Sequence, residues 1–408
     1  MSMTIDYRCT EEDFEYCKKI RHEIHEYPEL GFDLPKTSAL VKRELTKMGI
    51  PFTEQFAPCS VVGVLGGSIS DVTTPSVDGK KRPMIAFRAD MDALPVTEKA
   101  DVPFKSKIEG QMHACGHDSH TAMLLTAARV LKRHEAELPV TMVLLFQPSE
   151  ECEESGGKLM AENGAVDACD YVFCFHVDNE IPSGQIGTCA GEYMTACCPI
   201  TIEFFGKTAH ATKPERGVDT IQMTLEACDK MQKIVAETAE KYRATKIFAI
   251  DYIHGGTAHN VIADYTAIKI SFRYYNQDFA DEVREKCLGI CREAAETRGG
   301  TMKAQWFMSS PSLYNDEKLT AYIEKCVDKV ATRFAMPKRL STEDFAWYTQ
   351  KKPGSLFRLG TGNPAKGCTS VAHSNDFKID EDAYPSAINT IVRMAMDFDS
   401  FQGNEDGK

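Results

Sequence analysis

No stretch of this chain reaches the roughly 18 consecutive apolar residues needed to span a bilayer, so a membrane-spanning protein is not expected. It has no block of lysine or arginine either, and its formal charge is −13, which argues against nucleic acid or an anionic membrane surface as partner. The first residues, MSMTIDYRCTEEDFEYC, lack the apolar segment of a secretory signal. CxxC pairs are missing although the chain has 15 cysteines. Scattered as they are, these read as small buried hydrophobes in a reducing compartment, not as a disulfide framework. Cytoplasm is the expected location. Internal repeats and low-complexity segments are absent as well.

At 408 residues the chain is too long for one compact core, and two domains are expected. The spacing of Phe14, Cys17, Ile20 and Ile24 predicts a helix from Glu11 to about His25, with Thr10 as N-cap and Asp13 in the capping-box position. A second helix is expected over Thr37–Met48, stopped by Gly49. Strands are expected around Ser60–Leu65 and Met84–Phe87, separated by a polar surface loop, Ser68–Arg82. Helix Ser119–His134, strand Val140–Phe146, helix Gly157–Asn163 and strand Tyr171–Phe175 then alternate, favouring a mixed, largely parallel α/β sheet. From Pro199 the pattern becomes strand, helix (Thr220–Tyr242), two strands (Lys246–Ile253 and Thr266–Arg273), helix (Phe279–Thr297) and strand (Met302–Phe307). That β-α-β-β-α-β order suggests a ferredoxin-like α+β unit over 196–307, inserted into a discontinuous domain of 1–195 and 308–408. The chain ends in an expected helix around Ala383–Phe401.

The densest chemistry lies in His113-Ala-Cys115-Gly-His117-Asp118-Ser-His120, just before a helix. Thiolate and imidazole suit a divalent transition metal, though a polar capping loop would read the same way. Of these groups Cys115 and His117 are the stronger ligand candidates. The strand Val143–Phe146 runs out into Glu150-Glu151, and adjacent carboxylates point in different directions. One can therefore bind a metal while the other handles a proton; a solvated acidic turn is the plainer alternative. His176 ends an apolar strand, and Asp90 and Asp92 end another, where they could orient ligand imidazoles. His373 stands alone in Ala-His-Ser-Asn-Asp376. Glycines beside His210 and Asn260 allow close approach of a substrate or another chain, or simply a surface turn.

In order, Arg21–Phe32, Phe87–Pro95, His113–His120, Phe146–Glu151, Phe175-His176, Gly206–Ala211, Gly255–Ile262, Thr342–Phe345 and His373–Asp376 resemble the aminoacylase and hippurate hydrolase branch of the co-catalytic metallopeptidases. That branch includes the indoleacetyl-amino-acid hydrolases. The resemblance implies a catalytic domain with two divalent ions (zinc, manganese, nickel or cobalt) and an inserted lid domain. It implies Cys115 bridging the ions, with His117 and His176 on one and Glu151 and His373 on the other. By the same resemblance Glu150 is the general base, His210 an oxyanion donor, and Asp90 and Asp92 support the metal shell. Asn260 and Arg273 would hold the substrate carboxylate. The implied substrates are small N-acyl-amino acids, and a homodimer through the lid is implied as well. Other readings remain open here: a dipeptidase or aminocarboxypeptidase of the same superfamily, a thiol hydrolase built on Cys115, and a non-catalytic metal-binding protein.

Overall fold

The computed structural model describes residues 7–73 and 82–402. It divides into two compact units, the first comprising Met1–Gly191, Tyr314–Lys338 and Asp344–Lys408, the second Glu192–Leu313 and Arg339–Glu343. Among the described residues no helix is long and apolar enough to cross a membrane. None of the fifteen cysteines is in a disulfide.

The first unit is built on an eight-stranded mixed sheet. Its middle strands are parallel: Met84–Asp90 lies between Thr141–Gln147 and Tyr171–Pro182, and the latter also pairs in parallel with Gly354–Gly362. Antiparallel strands flank this centre on both sides, with Val61–Leu65 against Thr141–Gln147 and Gln185–Thr188 against Gly354–Gly362. Met84–Asp90 and Thr141–Gln147 are buried at every position, as strands covered on both faces must be. Because these strands run the same way, their carboxyl ends emerge on one edge. In register Asp90 faces Gln147, and the loops after both leave the sheet side by side. This is where α/β sheets place ligands.

The helix His117–Lys132 packs against Glu11–His25, Pro35–Met48 and Tyr384–Met396. It is buried over nearly its whole surface, which explains why its middle, Ala122–Leu125, is an unbroken apolar run where a surface helix would carry a stripe. Glu11–His25 begins in the expected capping box: the Thr10 hydroxyl accepts from the Asp13 amide, and the Asp13 carboxylate accepts from the Thr10 amide. Three details differ from the sequence reading. The Tyr171 strand continues to Pro182, because ladder pairing with Gly354–Gly362 carries it past the point where its apolar run stops. The C-terminal helix breaks into Tyr384–Met396 and Asp399–Gln402. The loop Ser68–Arg82 contains a short helix, Ile69–Thr73, and its residues 74–81 lie outside the described residues.

The second unit is a four-stranded antiparallel sheet in the order Thr301–Trp306, Ala196–Phe205, Tyr265–Tyr274, Lys246–Gly255. Helices Thr220–Tyr242 and Gln277–Glu296 complete the β-α-β-β-α-β unit. Along Ala196–Phe205 every second residue is buried, joining Phe272, Phe279 and Met231 in the unit's own core.

Candidate metal centre

Gly116 adopts φ 90°, and a Cβ there would come within 2.4 Å of Val177 Cγ2. Only glycine fits between Cys115 and His117 at this turn. The turn ends at His117, the first residue of the buried helix. Its Nδ1 lies 2.9 Å from the Asp92 carbonyl oxygen and so carries the proton. Nε2 therefore presents a lone pair, and it is buried with no hydrogen-bond partner among the described residues. His176 is fixed the same way: Nδ1 donates to the Val177 carbonyl at 2.7 Å, and Nε2 lies 3.4 Å from Cys115 Sγ.

The loop after Thr141–Gln147 brings the two carboxylates. Ser149 sits in the left-handed region at φ 54°. The Glu150 and Glu151 amides then donate to the two oxygens of Asp92, at 3.0 and 3.1 Å. Asp92 thus holds the loop by its backbone and His117 through its carbonyl. Burial pushes the Asp92 carboxyl up against the pull of His117 and the two amides. Glu151 Oε1 stands 3.8 Å from His117 Nε2 and 3.2 Å from His373 Nε2. Glu150 Oε2 is 3.9 Å from His117 Nε2.

Of the groups of potential donor atoms, two contain Cys115, one with His117 and His176 and one with Glu151 and His373, each with its atoms within 4.8 Å of one another. Cys115 belongs to both. Without an ion, burial and the carboxylate of Glu151 push the Cys115 thiol well above its usual value. Burial alone would raise Glu151, but His373 and His117 outweigh it and bring the carboxyl down. An orphaned imidazole lone pair, a thiol, a carboxylate and two further imidazoles form a donor set suited to divalent transition metals.

The other histidines of the cluster do different work. The His120 Nε2 accepts the Val177 N–H at 2.9 Å and its Nδ1 donates to Asp90 Oδ1 at 2.6 Å, leaving no lone pair for a metal. His113 is buried, neither ring nitrogen has a hydrogen-bond partner among the described residues, and burial pushes it down to about 3. Asp90 is fully buried between Arg88 and His120. Burial would raise its carboxyl, but Arg88, His117 and His120 hold it well below the usual range.

Several buried polar residues here carried no role in the sequence reading. Asp118 accepts from Arg21 Nε at 2.9 Å and from His25 Nδ1 at 2.8 Å, pinning the start of the His117 helix to Glu11–His25. Arg88, Gln147 and Asp344 form a second network under the sheet edge. Within the segments Arg21–Phe32 and Thr342–Phe345 nothing local in sequence indicates these partners.

In the second unit His210 is exposed, and its Nδ1 accepts from the Thr212 amide at 3.2 Å, so Nε2 carries a hydrogen. Asn260 lies beside it: its carbonyl accepts from Ala211 at 2.9 Å, and His210 bridges to Val261. Arg273 is not brought to this pair. It stands near the other end of the strand that begins at Tyr265, about 25 Å along at a strand's usual rise, and donates to the Leu340 carbonyl at 3.3 Å.

A model of the peptidase family M20/M25/M40 matches residues 86–397, and the chain belongs to that family. It is accordingly a hydrolase of amide bonds. The chain is 35% identical over 368 residues to thermostable carboxypeptidase 1 of Saccharolobus solfataricus, covering 89% of this chain and 90% of the relative. It is 31% identical to the IAA-amino acid hydrolase ILR1-like 4 of Arabidopsis thaliana, over 94% of this chain and 85% of that one. It is 33% identical to the N-acetyl-L-cysteine deacetylase of Bacillus subtilis, over 89% and 83%. Among solved structures, the Bacillus subtilis YXEP protein, described as a dinuclear metal binding peptidase of the M20 family, superposes with a TM-score of 0.80 at 26% identity, over 95% of this chain and 99% of that one.

Proposed function

We propose that the protein is a two-metal amidohydrolase that releases the amino acid from small N-acyl-amino acids. The observation that carries this reading is Cys115, common to two donor groups, with Glu150 beside them. Cys115 would bridge the two ions, His117 and His176 would complete the shell of one, and Glu151 and His373 that of the other. Zinc, manganese, nickel and cobalt all suit such a set. When bound, the ions lower the pKa of a water molecule and polarise the scissile carbonyl. Glu150 takes the proton of the attacking water and returns it to the nitrogen of the departing amine. Asp92 keeps Glu150 and Glu151 in place through their amides, and Asp90 supports the imidazoles from behind. His210, with a hydrogen on its outward Nε2, suits an oxyanion donor, and Asn260 beside it a substrate-carboxylate contact. Arg273, engaged with Leu340, is not included.

The relatives named for N-acetylcysteine and indoleacetyl-amino acids support an N-acyl substrate. Those named carboxypeptidases keep a dipeptidase or aminocarboxypeptidase as the second reading. A panel of acetyl-, benzoyl- and indoleacetyl-amino acids against dipeptides, after loading with each metal in turn, separates them. The proposal expects the highest kcat/KM on an N-acyl-amino acid, and preference for free-amine dipeptides contradicts it.

A homodimer through the second unit is part of the proposal. Its edge strand, Lys246–Gly255, exposes Ile253 at 57%, and the nearby helix exposes Leu225 at 56%. An apolar, unpaired sheet edge is a template for pairing with a second chain. Sedimentation equilibrium at micromolar protein tests it; a monomer contradicts it. Fifteen cysteines outside any disulfide fit a reducing, cytoplasmic setting.

A further inference from the structure

Asp344 lies far from the donor groups in sequence and belongs to neither of them. Its carboxylate is buried and accepts four hydrogen-bond donors: Arg88 Nη2 at 2.5 Å, Gln147 Nε2 at 2.8 Å, Ser155 Oγ at 2.7 Å and the Gly157 amide at 2.9 Å. Two of these partners lead to one side of the centre and two to the other.

On the first side, Arg88 is fully buried on the Met84–Asp90 strand, and its guanidinium reaches several groups. Nη2 goes to Asp344, Nη1 to Asp90 and Nε to Gln147 Oε1 at 2.9 Å. Asp90 Oδ1 then accepts from His120, whose other nitrogen receives the Val177 amide, one residue after His176. Asp90 Oδ2 is 3.7 Å from His117 Nε2. The position of Asp90, and through it of two candidate ligands, depends on where Arg88 is held.

On the second side, Ser155 and Gly157 close the loop that carries Glu150 and Glu151. The Gly156 amide donates to the Ser149 carbonyl at 2.8 Å, so the loop ends where it began. A Cβ on Gly156 would lie 1.8 Å from the Pro148 carbonyl oxygen, and one on Gly157 2.7 Å from Asp344 Oδ2. The two glycines let the backbone come down onto the aspartate, and Ser155 both caps the following helix and donates to it.

We propose that Asp344 is the positioning residue of the metal centre, a single carboxylate that sets His117 and His176 through Arg88 and Asp90, and Glu151 through Ser155 and Gly157. Three buried charges are shared here, one guanidinium between two carboxylates. Removing one carboxylate takes an anionic partner from Arg88 and an acceptor from the Gly157 amide, so both sides of the centre relax together. This rests on the two-metal reading above, and the test separates the two.

The experiment is competition for Zn2+ between a chromophoric chelator and the full-length parent, Asp344→Asn and Ser155→Ala, each checked for native circular dichroism. Asp344→Asn should bind Zn2+ about 10- to 100-fold more weakly, as loss of a buried partner of a metal ligand typically does. Its kcat should fall with KM little changed, since no substrate contact is removed. Ser155→Ala, which keeps the charge and loses one donor, should show a smaller shift in the same direction. A folded Asp344→Asn with the parent's Zn2+ affinity and kcat overturns the proposal while leaving the two-metal reading intact. If Asp344→Asn does not fold, an unchanged Zn2+ affinity in Ser155→Ala overturns it. A parent that binds no Zn2+ overturns both.

Discussion

His373 Nε2 lies 3.2 Å from Glu151 Oε1, and His373 holds that position from the left-handed region, at φ 70°. A histidine there costs of order 1 kcal/mol, and the conformation is held by its amide, which donates to the Ala114 carbonyl at 2.8 Å. The C-terminal histidine is thus fastened to the backbone of the Cys115 turn and aimed at the glutamate. Backbone strain placed between two donor groups is what a preformed centre requires.

Metal binding should be coupled to proton release. In the metal-free protein burial and Glu151 hold the Cys115 thiol well above its usual value, so at neutral pH it is protonated. A cation that takes the thiolate must displace that proton. Below the thiol's folded pKa, affinity should rise about tenfold per pH unit for each proton released. Calorimetry of Zn2+ binding at pH 6, 7 and 8, in buffers of different ionisation enthalpy, measures this. An affinity independent of pH contradicts the role of Cys115.

Glu150→Ala should keep metal and lose turnover. Its side chain belongs to neither donor group around Cys115, and the loop contact to Asp92 is made by its amide. Loss of a general base typically costs about 10²- to 10⁴-fold in rate. Parent-like Zn2+ affinity with kcat reduced in that range is expected. Full activity would remove Glu150 from the mechanism.

Gly116→Ala should destabilise the turn between Cys115 and His117. It adds a side chain at φ 90° and drives it to 2.4 Å from Val177 Cγ2. The backbone and packing penalties together come to about 2–4 kcal/mol. Urea unfolding of the metal-free protein reads this directly, and a variant within 0.5 kcal/mol of the parent, roughly the spread of neutral surface changes, would contradict the assignment of the turn.

The first helix should contribute an acid-sensitive term to stability. Burial alone would raise the Asp13 carboxyl, but Arg133, at 2.7 and 2.8 Å, and the Thr10 groups bring it below its ordinary value of 3.8. A depressed folded pKa means that stability is present above the unfolded value, near pH 4, and is lost as pH falls through the folded one. Asp13→Ala should cost about 1 kcal/mol at pH 7 through the cap alone. Its difference from the parent should shrink below pH 4 in denaturant titrations, and a gap that persists at pH 2 contradicts the ionised pairing.

What could be read from the sequence is what chain-local patterns encode. Thr10 and Asp13 make their capping box from residues three apart, and the long helix Thr220–Tyr242 announces itself by periodicity. The antiparallel order of the second unit follows from its alternation of strands and helices. Cys115, His117, Glu150 and Glu151 were legible because they crowd strand and helix ends. The roles of Arg88, Asp344 and His120 were not. A buried ion network has no period, and its partners lie in separate segments. His120, a weaker ligand candidate in sequence than Cys115 and His117, receives the Val177 amide on its lone pair. Arg273 carries the charge that a carboxylate needs and stands at the opposite end of its strand from Tyr265.

The central claim is that one thiolate serves two ions. Metal analysis of the zinc-loaded parent combined with zinc-edge X-ray absorption tests it most directly. The account predicts two zinc ions per chain, with a sulfur ligand at about 2.3 Å that disappears in Cys115→Ser. A single ion, or a zinc shell free of sulfur in the parent, would contradict it.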